Sequence, residues 1–213
     1  MIKNNKTNII LTSVLTLLPI LAGVILWDRL PESIATHWSF SGEPDGFSSR
    51  GFTVFAIPLI LLALHWVCIA ATALDSKNEG QNKKVFSLIL WIVPFISVLF
   101  TLAIYLNAIG RNIDISTVTT LFIGVILILI GNILPKCKQN RTIGIKIPTT
   151  LKSEKNWNAT HRTAGRVWVI SGFLLLFCPL VPSTIRLICM TAIFAVMVIY
   201  PIIYSYIYSK KED

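Results

Sequence analysis

Acidic residues are scarce in this chain: ten Asp and Glu stand against nineteen Lys and Arg in 213 residues, a formal net charge of +9. Charged residues of both signs make up only 14%, well below the roughly one quarter usual in soluble domains. That excludes an ordinary water-soluble surface. The four cysteines, Cys68, Cys137, Cys178 and Cys189, show no C-x-x-C spacing and three of them lie inside apolar runs, so they read as small core or lipid-facing residues rather than as metal or redox ligands. Histidine numbers only three. There is no helix-turn-helix or nucleotide-binding pattern, no internal repeat and no low-complexity tract, and no cofactor or metal is expected.

What is abundant is apolar: hydrophobic residues reach 54% and the mean hydropathy is +0.71. The class is therefore an integral membrane protein. A hydrocarbon core about 30 Å thick takes roughly 20 apolar residues per helical span, and that criterion predicts spans at Ile9–Trp27, Phe52–Leu74, Val85–Ala108, Ile115–Leu134, Val167–Val181 and Ile185–Tyr208. The first run exceeds a signal-peptide core and no A-x-A-like cleavage site follows it, so it is expected to be retained. Every Asp and Glu then falls outside a span, as the cost of charge in hydrocarbon requires. The expected fold is all-α, a single membrane domain over 1–213 with six transmembrane helices.

Orientation follows from the basic residues. With the N-terminus inside, fifteen Lys and Arg fall in cytoplasmic segments, among them Lys3, Lys6 and Lys77 and the long connection from Lys136 to Arg166. Only Arg29, Arg50, Arg111 and Arg186 fall outside. Both termini are expected to be cytoplasmic. The positive charge then belongs to topology and an anionic inner leaflet, not to nucleic acid.

The connection 28–51 is expected outside, and its Glu43-Pro44-Asp45-Gly46 is a turn signal: Pro presets the backbone, Asp bonds locally and Gly tolerates the exit. A small hairpin-like cap is predicted. His37, Trp38, Phe40 and Phe47 give it an aromatic surface that either meets a peptide or anchors on headgroups. A metal site of His37 with Asp45 has too few ligands and no spacing logic.

Within the spans, Pro19, Pro58, Pro94 and Pro201 are expected to kink their helices. His65 sits near the middle of the second span, where an ionisable group is either a relay or ligand site or a packed, hydrogen-bonded imidazole. Asn107 and Asn132, near the ends of spans three and four, read as interhelical hydrogen-bond donors.

The segment 135–166 is the polar centre of the chain. Pro148 stops a helix from running backwards, and Thr149, Thr150 or Ser153 is placed to cap one that starts after it. At 100° per residue, Trp157, His161, Ala164 and Trp168 cluster within roughly 60°, and Lys152, Lys155, Arg162 and Arg166 lie opposite. An amphipathic helix follows, which either lies along the cytoplasmic interface or packs its aromatic face under the bundle and offers the basic face to a partner or to anionic lipid. The fifth span is short and is expected to borrow a turn from this helix, with Gly165 as the bend. Upstream, residues 143–148 alternate too briefly for more than a strand-like loop held in one shape. The sequons at Asn140 and Asn158 lie on the side assigned as cytoplasmic and would stay unmodified. As an active site the stretch lacks a second acid, a paired nucleophile and metal-ligand spacing.

The stretch I-G-I-K-I-P-T-T-L-K-S-E-K-N-W-N-A-T-H-R-T-A-G-R resembles the signature of the SdpI family of bacterial membrane immunity proteins, with a pattern G-[IL]-R-T-P-W-T-L followed by a W-x-x-T-H-R-like segment. Gly144, Pro148, Thr150, Leu151, Trp157, Thr160, His161, Arg162 and Gly165 fit. Lys146, Ile147 and Thr149 stand where the pattern has Arg, Thr and Trp, and Lys supplies charge without a planar bidentate fork. The segment L-P-E-S-I-A-T-H-W followed by G-E-P-D-G resembles the small extracytoplasmic module that often precedes this signature. The resemblance implies immunity to a membrane-active peptide toxin and, in the family's type member, a signalling branch in which a cytosolic transcriptional repressor is held at the membrane.

The reading is thus a non-enzymatic, multi-pass cell-membrane protein with membrane lipids, a peptide toxin and a repressor as partners. The candidate residues are His37, Trp38 and Asp45 outside, and Gly144, Lys146, Pro148, Thr150, Trp157, Thr160, His161 and Arg162 inside. The alternative is a small transporter or channel, which depends on His65.

Overall fold

A computed structural model describes residues 5–39, 42–75 and 81–212. Lys3, Phe40 and Lys77 lie outside the described residues. The helices are α1 (Lys6–Ile25), α2 (Ile57–Leu74), α3 (Lys83–Ala108), α4 (Ile115–Ile133), α5 (Pro148–Lys152), α6 (Glu154–Phe177) and α7 (Ser183–Glu212). Strands β1 (Ser33–Trp38) and β2 (Pro44–Ser49) pair antiparallel between α1 and α2. Six of the helical segments are long and apolar enough to cross a membrane. The protein is a multi-pass membrane protein.

The burial pattern supports this because it is inverted relative to a soluble bundle. Helix α1 buries Ile9, Thr12, Thr16, Pro19 and Gly23 on one stripe, while Val14, Leu18, Leu21 and Ile25 are exposed. In water that surface would aggregate. In lipid it is the expected one, since helices associate there through small and hydroxyl residues and leave apolar side chains to the acyl chains. Helix α7 is the extreme case, with only 11% of its most apolar window buried.

The chain forms two compact units: Met1–Ala73 with Ile89–Val118, and Leu74–Leu88 with Thr119–Asp213. In the first, Ser97 Oγ donates to Thr16 O at 2.7 Å. Gly23 permits a close approach, because a Cβ there would meet Val54 and the Tyr105 hydroxyl at 2.7 Å. A π-helical turn, Phe52–Ala56, precedes α2. Pro58 has no N–H for the carbonyl of Val54 four residues earlier, which accounts for the widened turn there.

In the second unit α4 and α6 meet at two glycine pairs. A Cβ on Gly131 would lie 2.7 Å from Gly165 O, and one on Gly172 would lie 2.5 Å from Gly124 O. Both pairs are spaced by seven residues on antiparallel helices, so the backbones touch at two levels two turns apart. Gly165 is therefore no bend. Helix α6 runs unbroken through it, and its role is close packing.

That corrects the expected fifth span. The span-length helix is Glu154–Leu180, so the amphipathic segment is the first half of the fifth spanning helix and not a separate interfacial helix. The apolar criterion missed this because residues 154–166 carry charge on one face while burying polar groups on the other.

Candidate functional site

The hairpin is built on its base. Arg50 Nη1 donates to Trp27 O at 2.7 Å and to Leu30 O at 3.1 Å, which ties the end of β2 to the turn that follows α1. Its guanidinium lies 4.7 Å from the Trp27 ring centroid. Trp38 is half-buried and packs against the cluster of Leu30, Ile34, Val54, Ile104 and Tyr105. Of the residues proposed to face outward, His37 and Asp45 do so: the exposed His37 Nδ1 donates to Asp45 Oδ1 at 2.5 Å. Phe47 is 61% exposed. Trp38 is instead a strut for the sheet.

His65 is fully buried and its Nε2 lies 3.1 Å from Thr12 Oγ1. The Thr12 hydroxyl has one hydrogen, directed at Asn8 O at 2.8 Å, so it accepts from His65 Nε2–H. The imidazole is then the Nε2-protonated tautomer, and Nδ1 has no partner among the described residues. Asn107 Nδ2 donates to Ile113 O at 2.9 Å, closing the α3–α4 turn rather than joining two helices as expected. Asn132 is exposed on α4. Cavities of about 420 Å³ and 210 Å³ in this first unit have apolar walls, including Phe95 and Leu106 in one and Leu18 and Leu21 in the other.

The polar centre forms one connected network, all within the second unit. Asn140 has 0% exposure and every polar atom of its amide is used. Its Oδ1 accepts from the backbone N–H of Thr142 and Ile143 at 2.7 and 2.6 Å, and its Nδ2 donates to Lys138 O and Ile143 O at 2.8 and 2.9 Å. The loop is held from outside too. Asp75 Oδ2 accepts from Arg141 N–H at 2.8 Å and from Thr142 Oγ1 at 2.7 Å. Gln81 pairs with Lys138 through both ends of its amide, at 2.8 and 3.1 Å.

Gly144 then takes φ = 108°, a backbone conformation open to glycine and costly to other residues. A Cβ there would also run into His161 Nε2 and the Trp157 ring. The close approach lets Ile145 N–H donate to His161 Nε2 at 3.0 Å. Because Nε2 accepts, the proton is on Nδ1, which donates to Trp157 O at 2.8 Å. Trp157 is fully buried, stacks on His161 with centroids 4.0 Å apart, and donates Nε1–H to Cys137 O at 2.8 Å. Burial pushes the Cys137 thiol up to about 11, with the Asn140 amide opposing.

Pro148 opens α5. Thr150 Oγ1 accepts from Ile147 N–H at 3.1 Å and donates toward Ile145 O at 2.8 Å. Ser153 caps α6 by accepting from Asn156 N–H at 3.1 Å, which settles the choice among the three capping candidates. Asn156, fully buried, donates to Ser205 O at 2.8 Å and accepts from the hydroxyls of Thr160 at 2.9 Å and Ser205 at 2.7 Å. Lys146 Nζ donates to Thr142 O at 2.9 Å. Arg162 stands exposed on the far side of α6.

The structure therefore brings together Gly144, Pro148, Thr150, Trp157, Thr160 and His161, and leaves Lys146 and Arg162 on the surface. The aromatic face, with Trp157, His161 and Ala164, is packed inward. Residues 143–147 form no strand; they are a loop of fixed shape. Sequence reasoning missed Asp75, Gln81, Asn156 and Ser205, whose partners lie far along the chain. Chemically the network holds shape: its buried donors and acceptors are committed to one another. Among the described residues no group of three or more His, Cys, Asp or Glu is placed to bind a metal ion.

These features define a polytopic membrane protein with an extramembrane hairpin and a closed polar plug at one end of its second unit. Residues 136–208 match the family model described as SdpI/YfhL protein family, and residues 14–62 match one described as a domain of unknown function, DUF1648. The immunity protein SdpI of Bacillus subtilis (strain 168) is 28% identical over 206 residues, covering 97% of this chain and 97% of that protein. The plug lies inside the region that is similar to the SdpI/YfhL family. No solved structure matches it.

Proposed function

We propose that this protein protects the cell that carries it from a membrane-active peptide toxin. The observation that carries the reading is the end-to-end similarity to a protein named for immunity, which spans hairpin, helices and plug alike. In this reading the exposed His37, Asp45 and Phe47 meet the toxin outside, and the plug keeps the helices of its own unit in register. Orientation is part of the proposal. Twelve of the thirteen described Lys and Arg of the second unit lie at the plug end, with Arg186 alone at the other, so the plug end is cytoplasmic by the positive-inside rule. A signalling branch would have to use Lys138, Arg141 and Lys146 to hold an acidic repressor, since the aromatic face is buried.

The alternative of a small transporter needs a wet polar position at mid-membrane. His65, its one candidate, is closed in by Thr12, so immunity is preferred. The test is expression in a sensitive cell challenged with a panel of membrane-active peptides. Survival should rise for at least one peptide and fall back with His37→Ala and Asp45→Ala together. Survival no better than an empty-vector control across the panel, at verified membrane abundance, would refute the proposal.

A further inference from the structure

The outward face of α6 changes character along its length. Lys155, Arg162, Arg166, Ile170, Phe173 and Phe177 fall within roughly 80° of one another at 100° per residue. The first three are exposed cations; the last three are 61%, 52% and 64% exposed apolar residues. One stripe thus turns from cationic to apolar within the single turn between Arg166 and Ile170. Among the described residues neither guanidinium has a hydrogen-bond or ion-pair partner.

Depth can be read from the neighbouring helix. Asn156 bonds Ser205 and Trp168 bonds Met197 O at 3.2 Å, which sets the register of the antiparallel α6 and α7. Arg162 and Arg166 lie between these two levels on α6, and Tyr200 and Tyr204 lie between them on α7. Tyrosines concentrate where headgroups meet acyl chains. The two arginines therefore stand at headgroup depth, with the apolar half of the stripe in the hydrocarbon directly beyond.

We propose that this stripe is a binding site for an anionic phospholipid. Arg162 and Arg166, one helical turn apart with Cβ atoms about 5–6 Å from each other, share the headgroup phosphate through charge-assisted hydrogen bonds. The acyl chain lies along Ile170, Phe173 and Phe177. The commitment to lipid over an acidic protein rests on the lengthwise switch: a protein ligand would gain nothing from apolar side chains buried in the bilayer, whereas a phospholipid has this same division.

Native mass spectrometry of the full-length protein tests this, with dioleoyl phosphatidylglycerol and dioleoyl phosphatidylcholine titrated into the detergent-solubilised sample. Phosphatidylglycerol should bind preferentially, and Arg162→Gln with Arg166→Gln should weaken that binding roughly tenfold while phosphatidylcholine binding stays the same. Lys210→Gln with Lys211→Gln removes equal charge at the same end and should leave the preference intact. Phe173→Ala with Phe177→Ala, which keeps both arginines, should weaken both lipids. Inorganic phosphate and glycerophosphoglycerol, which lack acyl chains, should not displace the lipid. Equal loss in the lysine variant, displacement by either soluble phosphate, or no preference for phosphatidylglycerol overturns the proposal, the last leaving the stripe to an acidic protein.

Discussion

Replacing His161 with Ala removes two contacts that no neighbour can supply. Ile145 N–H loses its acceptor at 3.0 Å, and Trp157 loses its stacking partner at 4.0 Å. An amide left without a partner costs about 1–3 kcal/mol, and the lower end applies because Ile145 is only half-buried. The stack contributes about 0.5–1.5 kcal/mol beyond its area. Together these give about 2 kcal/mol, or roughly a 30-fold rise in local opening of the loop. Hydrogen exchange followed by mass spectrometry on the detergent-solubilised protein reads this directly in peptides covering residues 143–147. The effect should stop at the plug, with α1 and the hairpin exchanging as before. Protection of residues 143–147 that changes by less than about threefold, in a variant that elutes as the parent does, would mean the imidazole does not hold the loop.

Two further expectations concern the same unit. Because burial raises the Cys137 thiol to about 11, its thiolate fraction at pH 8 is only about one in a thousand; maleimide should label it far more slowly in the folded protein than after unfolding in denaturant, and equal rates would show the loop to be open. Gly172→Ala would place a Cβ 2.5 Å from Gly124 O and force α4 and α6 apart at an overpacking cost of about 1–3 kcal/mol. A lower thermal midpoint in detergent checks it, whereas an unchanged midpoint would refute close packing at that pair.

Much of the architecture was legible because a bilayer imposes a length and a hydropathy on each crossing segment. Five predicted spans lie within a few residues of the helices found. The fifth failed for a physical reason. Asn156, Trp157, Thr160 and His161 are buried polar or amphipathic groups in a helix that also carries Lys155, Arg162 and Arg166 outside, so its hydropathy looks like a loop while its backbone is continuous helix. The two-faced geometry of that segment was legible, since it depends only on helical period. Which face would be covered was not, because that depends on Cys137 O, Ser205 and Gly144 arriving from elsewhere in the chain. Gly165 shows the same limit. A glycine marks either a bend or a contact, and only the backbone of Gly131 decides between them.

The departures of this chain from the family pattern gain a meaning that sequence comparison alone does not provide. Thr149 stands where the pattern has Trp, and its hydroxyl lies 2.6 Å from Ser205 Oγ. Ser205 Oγ in turn donates to Asn156 Oδ1, so Thr149 closes a chain of hydrogen bonds joining α5, α6 and α7. With the Ser205 hydrogen given to Asn156, the Thr149 hydroxyl is the donor to Ser205 Oγ. Lys146, in the place of Arg, spends its ammonium on the Thr142 carbonyl, a single acceptor for which a planar fork brings no advantage. Both substitutions are thus absorbed by local partners that suit the shorter or rounder donor. Of the residues that keep the pattern, Gly144, Trp157 and His161 are held by groups on two segments at once, whereas Leu151 and Arg162 are exposed.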